Sequence, residues 1–273
     1  MNDRKTIDKL KQIYQKNHQS QQIDNSKRQE KIDRNKRWIQ FWRENPNLYI
    51  HFKMGFKSFA YQHFSYYLMG EATTYFDVST RGVGKSLKAV TFGVSQCLLF
   101  PYKSVAVLAV GRSQSDADFE TTFKVDVFKN SPFVSWLWDK GLITAKNTEK
   151  GYRVDFWNGS VMYFMPCIDS SRGEHVSLII IEECRLIQKT RVDSIAIPML
   201  TLRQPQYKRY TKYKDYKSKF DKMEAIYITS NRFKSEWFNT LFNQTFVGYF
   251  KDRYNAHRIF CSDIFLAIKH CIS

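Results

Sequence analysis

Three short stretches of this chain carry residue types suited to phosphate chemistry. The first is Ser79-Thr80-Arg81-Gly82-Val83-Gly84-Lys85-Ser86. A glycine-rich turn running into Lys-Ser presents backbone N–H groups to a phosphate at a helix N-terminus. In that role Gly82 and Gly84 let the backbone approach closely, Lys85 reaches the β- and γ-phosphates of ATP, and Ser86 holds Mg2+. The pattern has glycine where this chain has Ser79, but serine is small enough for a tight turn. Arg81 has two readings. It lies against the γ-phosphate and stabilises transition-state charge, or it points to solvent or an acidic partner.

The second stretch is Leu178-Ile179-Ile180-Ile181-Glu182-Glu183, an apolar run ending in two carboxylates. Adjacent residues at a strand end point to opposite faces. One carboxylate, Glu182, then serves the metal, directly or through water. The other, Glu183, serves as general base for an attacking water. The third stretch is Thr229-Ser230-Asn231, small hydroxyl and amide side chains placed to hydrogen-bond a γ-phosphate or its water and report hydrolysis to a moving element. Ser-Asn is also ordinary turn chemistry.

These groups need a scaffold that brings three strand ends together. A strand is predicted over 73–78 and a helix over 87–100, the strand–loop–helix setting a phosphate loop requires. Further strands are predicted over 104–111 and 178–181, and over 225–231. A hairpin is predicted at 152–166, turning at Asn158-Gly159. The segment from Ser113 reads as a capped helix with acidic residues in its first turns. Residues 38–69 are dense in aromatics and read as one or two helices feeding the core. Strands alternating with helices imply a mostly parallel central sheet flanked by helices, an α/β fold. Two or three strand candidates separate the loop from the carboxylates. That interval fits the RecA-like (ASCE) P-loop NTPases, in which another strand lies between the loop strand and the carboxylate strand.

Composition sets outer bounds. In 273 residues there are 43 Lys plus Arg against 26 Asp plus Glu, a formal charge of +17. A surplus of that size favours a polyanionic partner, most often nucleic acid. The five cysteines are scattered, with no C-x-x-C pair, which points to a reducing compartment without disulfides or a zinc site. No run approaches the roughly 18 apolar residues of a membrane span, and the first thirty residues carry no signal peptide. Residues 1–37 form a basic, glycine-free arm, with Ile7, Leu10, Ile13 and Tyr14 at helical spacing. It is either a docking or nucleic-acid-contacting arm or a solvated tail. Residues 203–222 interleave Lys and Arg with Tyr207, Tyr210, Tyr213 and Tyr216. That pattern suits a nucleic-acid backbone and its bases, or a solvated loop.

Taken in order, these features resemble the ATPase domain of the large terminase subunit, the DNA-packaging motor of tailed bacteriophages. The resemblance runs from about Trp38 to the C-terminus. It rests on the arginine-bearing loop lacking its first glycine, on Arg172-Gly173 ahead of the carboxylate strand, on EECRLIQ and IPMLTLRQP after it, and on Thr229-Ser230-Asn231 as the coupling triplet. It implies ATP and Mg2+ as cofactors, with Gln62 as a candidate adenine contact upstream of the loop. It also implies a second arginine supplied by a neighbouring subunit, for which Arg203, Arg185 and Arg112 are candidates. The implied partners are double-stranded DNA, the portal protein, a small terminase subunit and further copies of the chain in a ring, all in the host cytoplasm with no membrane. The family's first acid is usually Asp, where this chain has Glu182. The family also usually continues into a nuclease domain. Here 38–250 is expected to be the ATPase domain and 251–273 the start of a linker, so nuclease activity is not expected. The alternatives are a helicase-like or other DNA-remodelling P-loop ATPase, and a nucleotide-dependent DNA-binding module that does not hydrolyse ATP.

Overall fold

A computed structural model of the chain describes residues 26–80, 82–200 and 223–230, positions 237, 240–244 and 247, and the backbone of 257–262. Arg81, Asn231, Arg203, the 203–222 insert and the arm before residue 26 lie outside the described residues. Of the described residues, those up to Arg43 belong to one unit and those from Glu44 onward to a second, the boundary falling one residue before the end of the first helix. In the first, helix α1 (26–44) is exposed along most of its length, and Trp38 stacks on Trp42 with ring centroids 5.7 Å apart.

The second unit is built on one eight-stranded sheet. Its strands are β1 (Thr74–Ser79), β2 (Ser104–Ala109), β3 (Ile143–Thr148), β4 (Gly151–Phe156), β5 (Val161–Pro166), β6 (Leu178–Ile181), β7 (Glu224–Ser230) and β8 (His257–Ser262). They lie in the order β3-β4-β5-β2-β6-β7-β1-β8. From β5 to β8 every pairing is parallel, while β3 and β4 add an antiparallel edge. The expected mostly parallel α/β sheet is present. The strand inserted between loop strand β1 and carboxylate strand β6 is β7, which carries Thr229 and Ser230.

The parallel strands are apolar on both faces because both faces are covered. Tyr75, Val105, Val107, Ile180, Ile226 and Ile228 point into one core, shared with α2 (Pro46–Phe52), α3 (Ala60–Glu71) and α4 (Lys85–Leu99). Phe76, Ala106, Leu108, Ile179, Ile181 and Tyr227 point into the other, packed on Val192, Ile195 and Met199. Helix α4 carries the loop residues at its start, so its seating on the sheet matters. At Gly93 an added Cβ would lie 2.8 Å from Met162 Cε and 3.3 Å from Ile180 Cδ1. Gly93→Val is therefore expected to overpack this contact and destabilise the fold by about 1–3 kcal/mol. Thermal or denaturant unfolding measures this directly.

Several expectations shift in detail. The loop strand runs one residue further than expected, so Ser79 belongs to β1, and α4 begins at Lys85 rather than Leu87. The hairpin at Asn158-Gly159 is present, but it has a third strand, β3. Its sequence, ITAKNT, is short, polar and largely exposed, with little apolar alternation to mark it. The helix expected from Ser113 starts at Arg112 after Gly111, and no side chain caps it. It continues through a π-helical stretch, Asp118–Val127. Its acids lie in its first turns, as expected, but they do not simply face solvent. Asp116 pairs with Arg112, and Asp118 is buried.

Candidate active site

The C-terminal ends of β1, β6 and β7 converge. Ser79 and Ser230 are register partners on adjacent strands, as are Val78 and Thr229. The loop leaves β1 at Ser79 and enters α4 through Gly84, whose φ of 69° is left-handed and so favours glycine. Gly82 is left-handed too, with φ of 88°. Lys85 folds back over the loop. Its Nζ donates to the carbonyls of Ser79 at 3.1 Å and Thr80 at 2.9 Å. Partial burial pushes the Lys85 ammonium below its ordinary pKa, opposed by Glu183, Asp77 and Glu182.

The two carboxylates after β6 separate. Glu182 continues the ladder, its N–H donating to the Leu108 carbonyl at 2.8 Å. Its side chain is 1% exposed, and Oε2 accepts from Ser86 Oγ at 3.0 Å. Oε1 is buried with no partner. Burial pushes this carboxyl up, and Asp118 and Glu183 reinforce the shift. Glu183 leaves the strand with φ of 45°, a costly conformation for a side-chain-bearing residue. The divergence of the two acids thus comes from this turn in the chain, not from strand alternation as expected. Glu183 accepts from Ser230 Oγ at 3.1 and 3.2 Å and from Ser230 N–H at 3.4 Å. Arg185 Nε lies 3.5 Å from Glu183 Oε2, close enough to pair electrostatically but without hydrogen-bond geometry.

Other residues named from the sequence take their places around this centre. Gln62 is buried on α3. Its Oε1 accepts from the Phe59 N–H at 3.0 Å, and its Nε2 would lie 3.4 Å from a Cβ added at Gly84. Val83 is buried, and its carbonyl accepts from Tyr61 Oη at 3.3 Å. Thr80 and Thr229 each hold a buried hydroxyl with no partner. Arg112 is tied down within its own chain by Asp116 and Asn147, each at 2.8 Å. Arg185 likewise faces its own Glu183. Arg81, Asn231 and Arg203 lie outside the described residues.

Sequence reasoning missed three buried charges. Asp118 is 6% exposed, one of its carboxylate oxygens has no partner, and burial raises its pKa. Asp77 and Lys88 form a wholly buried ion pair beneath the loop. Asp77 was findable, as a lone acid in the apolar run TYFDV. Lys88 was not, because a lysine in the first turn of a helix ordinarily faces solvent.

Among solved structures, the chain is similar to the ATPase domain of the large terminase of Thermus phage P74-26. That likeness has a TM-score of 0.50 and 16% identity, over 69% of this chain and 70% of that one. The fold is that of a large terminase ATPase domain. A mutant of the same domain matches to the same TM-score over 69% of this chain and 71% of its own. The N-terminal domain of the DNA packaging ATPase from bacteriophage phi29 is similar over 63% of this chain and 80% of its own, at 11% identity and a TM-score of 0.39. No protein-family profile matches the sequence, and no curated protein does.

The residues beside the loop fit a hard divalent cation such as Mg2+. A serine hydroxyl beside a buried carboxylate with one unpartnered oxygen is an all-oxygen donor set of the kind a hard cation takes. Among the described residues no three His, Cys, Asp or Glu side chains gather as a metal cluster. Nor is any described helix long and apolar enough to cross a membrane.

Proposed function

We propose that this protein is the ATPase of a viral genome-packaging motor, hydrolysing ATP to drive double-stranded DNA into a procapsid. One observation carries the reading. Ser86 and Glu182, 96 residues apart, meet at 3.0 Å on the carboxyl edge of the sheet, while Glu183 turns aside to Ser230 on the strand between them. A loop serine touching the first of two strand-end acids is the arrangement by which P-loop NTPases hold the Mg2+ of Mg·ATP. The terminase-like fold and the +17 charge support the choice of DNA as the track.

In this reading the backbone of Ser79 to Ser86 cradles the phosphates, and Lys85 trades its loop carbonyls for the β- and γ-phosphate oxygens. Ser86 and Glu182 would hold Mg2+, which when bound would neutralise developing phosphate charge. Glu183 accepts a proton from the attacking water. Arg81 completes the charge stabilisation in cis. Gln62, beside Gly84 at the loop's far end, contacts the adenine. The Ser230–Glu183 contact couples base to strand. When Glu183 swings to the water, Ser230 loses its acceptor, and Thr229-Ser230-Asn231 passes the change along β7 to the DNA-gripping surface. The basic 203–222 insert and the arm of residues 1–37 are the DNA contacts of choice. The portal protein, a small terminase subunit and sister copies in a ring complete the machine in the host cytoplasm. A neighbour's arginine completes each site, with Arg203, Arg185 and Arg112 as the candidates; of these, Arg112 and Arg185 make contacts within their own chain.

Phosphate release from ATP tests this. The chain is expected to release phosphate with Mg2+ present and to stop when EDTA removes it. Absence of release at saturating ATP and high protein concentration would sink the enzyme reading.

A further inference from the structure

Asp77 on β1 and Lys88 on α4 take no part in the chemistry above, yet both are wholly buried, with Nζ 2.6 Å from Oδ2. Their contacts lead to the two ends of the phosphate loop. Ser79 Oγ donates to Asp77 Oδ1 at 2.5 Å. The carbonyl of the same Ser79 accepts from Lys85 Nζ at 3.1 Å. Lys88 Nζ lies 5.8 Å from the centroid of the Tyr61 ring, and Tyr61 Oη donates to the Val83 carbonyl at 3.3 Å. Ser79 thus joins the two lysines, through its hydroxyl by way of Asp77 and through its carbonyl directly.

This geometry gives the departure from the phosphate-loop pattern a reason. Ser79 is the last residue of β1, paired with Ser230 and Ser262, and its backbone is not left-handed. Nothing there requires glycine, and a glycine would have no hydroxyl to offer Asp77. We propose that Asp77, Lys88 and the Ser79 hydroxyl form a latch that sets the phosphate loop in its binding shape, making Asp77 and Lys88 positioning residues for nucleotide. The inference rests on the nucleotide reading of the loop. A buried ion pair is often replaceable by apolar side chains without loss of stability, whereas removing one partner strands the other charge. The latch therefore makes a claim that stability alone does not: the folded protein without it grips nucleotide poorly.

The experiment titrates a fluorescent ATP analogue with Mg2+ into the full chain, with thermal melting alongside. Ser79→Gly, which restores the glycine of the pattern, is expected to weaken binding by at least ~10-fold, as loss of a hydrogen bond to a charged group does. Ser79→Thr, which keeps the hydroxyl, stays close to the wild type. The double variant Asp77→Ala/Lys88→Met is expected to melt near the wild type yet bind as weakly as Ser79→Gly. Combining all three changes adds little, since they break one network. Ser79→Gly binding as tightly as the wild type, or a folded double variant doing so, overturns the latch. If the double variant fails to fold, the Ser79 variants decide. A wild-type chain that binds no analogue is a different result: it overturns the nucleotide reading, and the latch falls with it.

Discussion

Glu183→Gln is expected to bind ATP as the wild type does and to turn it over at least ~100-fold more slowly, the lower end of what a positioned general base contributes. The substitution keeps the side chain's length and its capacity to accept from Ser230, whose N–H and Oγ now hold the carboxylate at 3.1 to 3.4 Å. What it removes is proton affinity. Glu182 cannot stand in, because its Oε2 is committed to Ser86 and its side chain is almost completely buried. The positive φ of Glu183 gives a further reason for the assignment. Backbone strain is tolerated where it re-aims a side chain, and here it turns the second acid away from the first and toward β7. Equilibrium binding and phosphate release, measured on the same preparation, separate the two effects. Turnover within a few-fold of the wild type would remove Glu183 from the role of base.

Lys85→Ala is expected to lose both binding and turnover. Affinity should fall by ~100-fold or more, since a side chain that makes two charge-assisted hydrogen bonds is removed. Its Nζ now bonds the Ser79 and Thr80 carbonyls, so the ammonium already lies over the loop before phosphate arrives. The substitution removes the cation that phosphate needs and takes one donor from each of two loop carbonyls. Lys85→Arg is not a rescue, because a planar guanidinium does not fit where a compact ammonium reaches two adjacent carbonyls. Calorimetric or fluorescence titration reads the loss, and melting shows that the fold survives. Unaltered affinity would mean that phosphate does not sit at this loop.

The sheet and its site were legible in the sequence to different depths. The strand–loop–helix of the phosphate site and the LIII strand with its two acids announce themselves through local chemistry, and the structure has both. The strand order was legible only through the interval between them, which called for an inserted strand; β7 fills that place. The edge strand β3 escaped because half-exposed polar strands lack a period to read. The behaviour of Glu183 escaped because strand alternation was extended one residue past the point where the chain leaves the ladder. Asp77, Lys88 and Asp118 escaped for a common reason. Each gains its meaning from burial against elements distant in sequence, and no local pattern reports that.

The most direct test of the central claim is the steady-state rate of ATP hydrolysis as linear duplex DNA is titrated into the wild-type chain and into Glu183→Gln. A DNA-packaging ATPase is expected to show basal turnover that rises several-fold with DNA, a stimulation that weakens with salt as phosphate contacts are screened, and turnover at least ~100-fold lower in the variant. Hydrolysis indifferent to DNA, or hydrolysis in Glu183→Gln within a few-fold of the wild-type rate, would contradict the account.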